Sequence, residues 1–325
     1  MARDFLPGQS ATLWVHDLDT DASHPVLTSA ELLFEAPNWT PDGALLVING
    51  GGRLFTFPAD ATPETAVLSE VDLGGIPEIN NDHVVAPDGA SVYVSAADGH
   101  LYQVPLRGGE VRRVSHDRGN FHHYLHGISA DGRVLSYIGL SWEGQQRFTN
   151  VYLLPLGGGG GGDSDGAADG DGDGVGTSDG ASGGAADDVQ LTDDAFQDDG
   201  AEFGLGPDGG EWVYFNSERA GGAPGHTQLF RMRPDGASVT QLTDDERVNW
   251  FPHPSPDGQQ LVYVSYPTGI EGHPENISDV RIRLTTPEGG TGREIATVFG
   301  GQGAMNVASW APDSRRFAYV SYSEV

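Results

Sequence analysis

The sequence predicts an all-β chain, a single six-bladed β-propeller spanning residues 1–325, and three observations carry the prediction. A turn of the form Pro-Asp-Gly recurs six times: WTPDG (Trp39–Gly43), VAPDG (Val85–Gly89), ISADG (Ile128–Gly132), LGPDG (Leu205–Gly209), PSPDG (Pro254–Gly258) and WAPDS (Trp310–Ser314). The second turn residues stand at 41, 87, 130, 207, 256 and 312, so the intervals are 46, 43, 77, 49 and 56 residues. Each turn is followed by a short apolar strand. Repeats of about 40–45 residues with four short strands apiece are the mark of propeller blades.

Within a repeat the elements follow in a fixed order. Proline presets φ and glycine supplies φ > 0, so the motif forms a tight hairpin turn. The second strand then reads ALLVIN, SVYVSA, RVLSYIG, EWVYFNS, QLVYVSY or RFAYVSY. A third follows as RLFTFPA, HLYQVPL, TNVYLLPL, QLFRMRPDG or DVRIRLTT, and after a glycine-rich turn a fourth, as in EVRRVS, VQLTDD, VTQLTDD and REIATVF. RRFAYVSYSEV carries the chain only two strands into the sixth blade, and ATLWVHDLDT and HPVLTS near the start supply a third and fourth strand. Joining the two ends within one blade closes the ring and removes two exposed sheet edges.

The interval of 77 has a local cause. Residues 157–188, a Gly/Asp-rich tract, stand between the third and fourth strands of the third blade, where the second blade has only PLRGGE. The tract has almost nothing to bury and is expected to be a disordered acidic insertion. Asp169, Asp171, Asp173 and Gly174 begin like a calcium-binding EF-hand loop, but the twelfth position is Gly180 and no helices flank it, so a solvated linker is the expectation.

The strings APNWTPDG and VASWAPDS follow a Pro-x-Trp-Ser-Pro-Asp-Gly pattern. On these motifs the chain resembles the TolB-like propellers over essentially its whole length, apart from the acidic tract. The resemblance implies six blades. It leaves function open, since this family includes periplasmic accessory proteins, propeller domains of serine peptidases and metal-dependent oligogalacturonate lyases. No nucleophile elbow on a strand-to-helix turn is present, and the given sequence leaves no room for a hydrolase domain after the sixth blade, so the peptidase branch is not expected.

Composition narrows the classes further. There are 47 acidic residues against 17 basic ones, all arginine, for a net charge of −30 at pH 7. Such a surface argues against binding nucleic acid or anionic membrane. It fits a saline cytoplasm, with a high-GC genome as the alternative origin. Without cysteine there is no disulfide or thiolate chemistry, and without lysine no Schiff-base catalysis. No P-loop and no Rossmann fingerprint in a βαβ context appears. The N-terminus lacks the pattern of a signal peptide, and no apolar run approaches the ~18 residues of a membrane helix, so a cytoplasmic protein without membrane insertion is expected.

The two faces of the ring differ. The Pro-Asp-Gly and Gly-Gly turns share one face and are short. The opposite face carries the loops LGGIPEINNDH, HDRGNFHHYLH, DDAFQDDGAEF, DDERVNWFPH, FGGQGAMNV, SWEGQQRF, SERAGGAPGHTQ and YPTGIEGHPENISD, which hold most of the histidines and many carboxylates. Binding functions concentrate on such loops. Aligned on their turns, the first strands place His83 and His126 at one position and His253 one residue later, so the three histidines stand at nearly the same depth, with Asp82 and Glu202 one residue earlier. These five are candidate metal ligands at the channel mouth, suited to Mn, Fe, Ni or Zn, and the carboxylates to Ca. A polar site without metal and a hydrogen-bonded structural network are the alternatives. Ligand contacts are expected from His122, His123, Tyr124, Gln302 and Asn306, from Trp250 as a stacking platform or core anchor, and from His273 in a long loop over the channel. The GGQG run (Gly300–Gly303) allows close backbone approach to a ligand, and His16, His24 and His116 are expected on the surface. The expected partner is a polar small molecule, an oligosaccharide or a protein segment. Similarity to the lyase branch implies a second function: a metal held by His83, His126 and His253, with Glu202 or Asp82, neutralising a uronate carboxylate while His122, His123 or His273 removes the α proton.

Overall fold

The six turns fold alike in the computed structural model, which describes residues 3–157 and 187–324. In each, the fourth residue donates its backbone N–H to the carbonyl of the first, at 2.8 to 3.1 Å, and that fourth residue has φ between 59° and 73°. Glycine fills five of these left-handed positions and Ser314 the sixth. The aspartate is equally local in its role. One side-chain oxygen of Asp42, Asp88, Asp131, Asp208, Asp257 and Asp313 accepts the backbone N–H two residues on, which closes the turn a second time.

The strands follow in chain order. β1 (Ala11–Asp17) and β2 (Ala22–Ser29) come first. Blade one is β3 (Phe34–Trp39), β4 (Leu45–Gly50), β5 (Arg53–Pro58) and β6 (Ser69–Val71). Blade two is β7 (Ile79–Val85), β8 (Ser91–Ala96), β9 (Leu101–Pro105) and β10 (Arg112–Arg113). Blade three is β11 (Phe121–Ile128), β12 (Val134–Glu143), β13 (Gln146–Pro155) and β14 (Val189–Gln190). Blade four is β15 (Asp198–Leu205), β16 (Glu211–Ser217), β17 (Gln228–Met232) and β18 (Thr240–Gln241). Blade five is β19 (Val248–Pro254), β20 (Leu261–Tyr266), β21 (Ile277–Thr286) and β22 (Gly289–Gly300), and β23 (Arg316–Tyr322) ends the series. Each of the five blades is an antiparallel sheet in sequential order, and the sixth is β2-β1-β23. Its innermost strand is reduced to one bridge, Trp310 to Phe317. The two ends of the chain thus close the ring in register, Ala11 opposite Tyr322 through Asp17 opposite Arg316.

The core lies between blades. The second strands bring tyrosines into the layers between blades, at one repeated register in Tyr137, Tyr263 and Tyr319 and one residue out of it in Tyr93 and Tyr214, and all five are buried against the neighbouring sheets. Helix is confined, among the described residues, to two short turns, Glu218–Ala220 and Gln302–Ala304. No helix among these residues is long and apolar enough to cross a membrane.

Two of three expectations need adjusting, and the first lies outside the described residues. Most of the acidic insertion, with its EF-hand-like start and two G-x-S-x-G strings (Gly162–Gly166 and Gly176–Gly180), lies outside the described residues. Its expected last residue, Asp188, is held by the fold: its side chain is 4% exposed, accepts from Tyr137 Oη at 2.7 Å and pairs with His116 at 3.0 Å. Third, His16 is buried rather than on the surface, bonded to Ser23 at 3.0 Å and packed on Phe317, because β1 is sandwiched between β2 and β23.

Candidate functional site

Every full blade breaks its innermost ladder at one place. The pairing of first with second strand skips between Glu35 and Asn38, Ile79 and His83, Leu125 and Gly127, Asp199 and Glu202, and Trp250 and His253. These are β-bulges, in which unpaired residues are re-aimed out of the sheet. Ala36, Gly200 and Phe251 take positive φ there. The neighbouring blade secures several of them: Asn38 accepts the N–H of Val85, Ser95 that of Leu125 and Asn216 that of Phe251, at 2.8 to 3.0 Å.

The bulges open onto one cavity of about 380 Å³ on the loop-rich face. Blade one contributes Glu35, blade two Asn80, Asn81 and Asp82, blade three Tyr124 and His126, blade four Asp199, and blade five Phe251, with Gln302 and Asn306 from the sixth. His126 is the single extra residue of its bulge. Its Nε2 faces Asp199 Oδ1 at 3.0 Å, and His273, from the β20–β21 loop, donates from Nε2 to Asp199 Oδ2 at 2.8 Å. One carboxylate therefore joins two imidazoles. Burial works against the His126 cation, yet the Asp199 hydrogen bond and the charges of Asp82 and Asp199 outweigh it and raise its pKa above the ordinary histidine value. Burial also works against ionised Asp199, but its two imidazole partners hold it well below the usual carboxylate range. Asp82 is different. Burial raises its pKa against the opposing pull of His126 and of Asn306 Nδ2, which donates to it at 2.7 Å.

Other charges are divided between tied and free. Arg3 is paired with Glu35, which also accepts from Tyr322 Oη at 2.7 Å. Arg147 lines the cavity exposed, its backbone carbonyl accepts from Gln197 Nε2 at 3.3 Å, and no carboxylate partners its guanidinium among the described residues. Leu33, Ile79, Ile138, Leu140 and Phe251 supply apolar wall. The glycines of GGQG serve packing: side chains on Gly301 and Gly303 would strike the Pro274 carbonyl and the Glu35 carboxylate.

Of the twelve residues singled out from the sequence, the structure gathers Asp82, Tyr124, His126, His273, Gln302 and Asn306 at this cavity. The others lie elsewhere. His83 is fully buried, with neither ring nitrogen hydrogen-bonded and its pKa lowered to about 4 by burial. His253 donates from Nδ1 to Glu202 at 2.6 Å, a closed pair outside the cavity lining. His123 is buried and bonded to the Gly99 carbonyl at 2.7 Å, and His122 sits edge-on to Trp142. Trp250 is 5% exposed and meets the His273 ring edge-on, so it presents no open stacking face to the cavity. Asp199, Arg147, Arg3 and Glu35 were not anticipated. Asp199 and its neighbour Asp198 are both acidic and only the former faces the cavity lining, which no local motif reveals.

The expected metal set does not come together. Among the described residues no three His, Asp or Glu side chains form a group able to hold a metal ion. Both oxygens of Asp199 are taken by imidazoles, Glu202 is engaged by His253, and His83 is enclosed. As arranged, these donors do not fit a resident divalent cation.

No family model matches the chain. An uncharacterized protein of Agrobacterium fabrum (strain C58) is 35% identical over 299 residues, covering 90% of this chain and 86% of its own. A solved structure described as a putative TolB from Agrobacterium tumefaciens is 32% identical, with TM-score 0.78 and coverage of 98% and 100%. More remote structures share the fold: an oligogalacturonate lyase in complex with manganese (15% identity, TM-score 0.53, 92% of this chain and 75% of that one) and TolB from Acinetobacter baumannii (16%, 0.50, 86% and 61%). With its closed six-blade ring, the chain belongs to the TolB-like propeller family, alongside the Agrobacterium protein.

Proposed function

We propose that this propeller binds a small polyhydroxylated ligand of the carbohydrate class in the channel-mouth cavity. The observation that carries the reading is the cavity's make-up. Its four carboxylates, Glu35, Asp82, Asp199 and Glu275, are balanced by two arginines and two histidines, and apolar side chains from Leu33 to Phe251 line the remainder. A sugar ring has the same duality, hydroxyls at the rim and C–H faces between them. The volume is at the small end of ligand pockets, which favours one or two sugar units over a folded protein segment. Arg147, with no carboxylate of its own, is the group to receive an acidic substituent.

A second reading is supported by the Asp199–His273 pair. An imidazole held by a carboxylate at 2.8 Å and 45% exposed has the make-up of a general base. On a uronate bound through Arg147, His273 would take the proton α to the carboxylate, the freed electron pair would form a C=C bond, and the bond to the β oxygen would break. The likeness to oligogalacturonate lyase makes galacturonides the first probes. Calorimetry with galactose and galacturonate, wild type beside Arg147→Gln, tests the binding reading. The expected result is saccharide binding, with the preference for galacturonate lost in the variant; absence of binding by both sugars overturns it. Incubation with oligogalacturonate, followed by the ultraviolet absorbance of an unsaturated uronate, tests the elimination, which a Phe- or Gln-substituted His273 should abolish.

A further inference from the structure

Trp250 offers the cavity no open face, but another tryptophan stands at its rim. The β12–β13 hairpin puts it there. β12 runs to the eleventh residue after its turn glycine, Gly132, whereas β4, β8, β16 and β20 stop at the seventh or eighth after theirs. The extra length lies at the loop-rich end and carries Trp142. Gln197, from the loop entering blade four, holds the extension: it accepts from Thr149 Oγ1 at 3.1 Å and donates to the Arg147 carbonyl at 3.3 Å.

Register decides which way Trp142 faces. Residues directly opposite in an antiparallel pair share a face of the sheet, as do alternate residues along a strand. Tyr124 stands opposite Ile138 and His122 opposite Leu140. Leu140 stands opposite Thr149 and Trp142 opposite Arg147, with no bulge among these pairs. Tyr124, Ile138, Leu140, Thr149 and Arg147 all line the channel-mouth cavity. His122 and Trp142 therefore continue the blade-three wall of that cavity by one row. Trp142 is two residues past Leu140, a step of about 7 Å along the strand, comparable with the length of one sugar unit.

The side chains of this row suit the face of a sugar ring. Trp39, Trp212, Trp250 and Trp310 are buried and Trp14 stacks on Tyr319, whereas Trp142 is only half-buried. His122 meets it edge-on, with the ring planes at 75° and the centroids 5.5 Å apart, so the two form a corner rather than a closed stack. Gly99 makes room for this His122 position, since a side chain there would stand 3.0 Å from the imidazole. An aromatic surface takes the C–H face of a sugar, and the Arg147 guanidinium, on the same sheet face and without a carboxylate partner among the described residues, takes its oxygens.

We propose that the Trp142 corner is a second saccharide subsite: a ligand of at least two units places one in the cavity and lays the ring face of the next on Trp142, with Arg147 at the linkage between them. The proposal rests on the carbohydrate reading of the main cavity. Calorimetry with galactose and galactobiose, and with galacturonate and digalacturonate, separates the two. Each disaccharide is expected to bind about 10-fold more tightly than its single sugar, the equivalent of burying roughly 55 Å² of apolar surface. Because a ring face supplies the gain, it should agree within about 3-fold between the neutral and the acidic pair. Trp142→Ala should bring both ratios close to one, and Trp142→Phe, which keeps an aromatic face, should hold them within about 3-fold of the wild type; thermal melting checks that both variants fold. Wild-type ratios near one, with the single sugars bound, overturn the subsite and leave the cavity reading standing. Ratios unmoved in Trp142→Ala overturn it as well, since the second unit then lies elsewhere. A gain confined to digalacturonate overturns stacking as its source. Failure of every sugar to bind removes both readings.

Discussion

Asp199 is the residue on which the site's electrostatics turn. Removing its charge in Asp199→Asn leaves His126 buried beside Asp82 with its hydrogen-bonded counter-charge gone. The expected consequences are a fall in the His126 pKa, readable by NMR titration, and a stability loss of about 3 kcal/mol, as when one partner of a buried pair is removed. The pH window follows from the directions. His126, raised in the fold, stabilises fully below the unfolded value of 6.5 and loses that contribution as pH rises through its raised value. Asp199, depressed in the fold, stabilises above 3.8 and loses it as pH falls. The pair is thus intact in mildly acidic solution. His83 has the opposite sign for a histidine: between 6.5 and about 4 the unfolded chain takes up a proton that the fold refuses, so stability drops as pH falls through that range. His83→Leu should flatten this limb in denaturation curves run from pH 7 to 4 and, by removing two unbonded buried nitrogens, leave the protein at least as stable at pH 7. A limb as steep as in the wild type would show that His83 is not its source.

The elements explain which of these residues the sequence could reveal. Turns and second strands were legible because their causes are local: proline presets φ, aspartate closes onto the next N–H, glycine takes φ > 0, and a tyrosine recurs between blades. Depth within the innermost strands was not legible. Aligning on the turn puts His83 and His126 in one layer and His253 one residue on, but a bulge depends on pairing with the next strand, and the skipped residues differ from blade to blade. His126 is extruded; His83 and His253 are the first paired residues after their bulges. Asp199 owes its place to Gly200, which turns the strand at φ 65°. A side chain on Gly200 would sit 2.9 Å from Asn216 Oδ1 and 3.0 Å from the Phe251 ring. Gly200→Ala should therefore cost about 2 kcal/mol, the left-handed penalty plus the contact, and displace Asp199. A lowered denaturant midpoint together with weaker saccharide binding is the expected pair of results; unchanged binding would mean that the bulge does not aim Asp199.

At the scale of the whole molecule, closure and charge oppose each other. The ring is held where the chain's beginning meets its end, through the β1–β23 ladder and exposed pairs such as Arg315–Asp19 and Arg293–Asp21, both at 2.7 Å. Against this stands the self-repulsion of 47 acidic groups with only 17 arginines to offset them. Added salt weakens both terms, and their sizes decide the outcome. Exposed ion pairs are worth at most about 1 kcal/mol each and often nothing. The unpaired excess repels over a Debye length of about 30 Å at 0.01 M salt, shrinking to about 3 Å at 1 M. Screening should therefore release more repulsion than attraction. The melting temperature is expected to rise steeply from 0.01 M to a few tenths molar NaCl and to level off as the Debye length falls below the spacing of the charges. Thermal melts across that series, repeated at constant ionic strength with sucrose to separate screening from solvent exclusion, decide it. A flat or falling curve would mean that the closing ion pairs outweigh the acidic excess, and would remove the physical basis for expecting a saline environment from this composition.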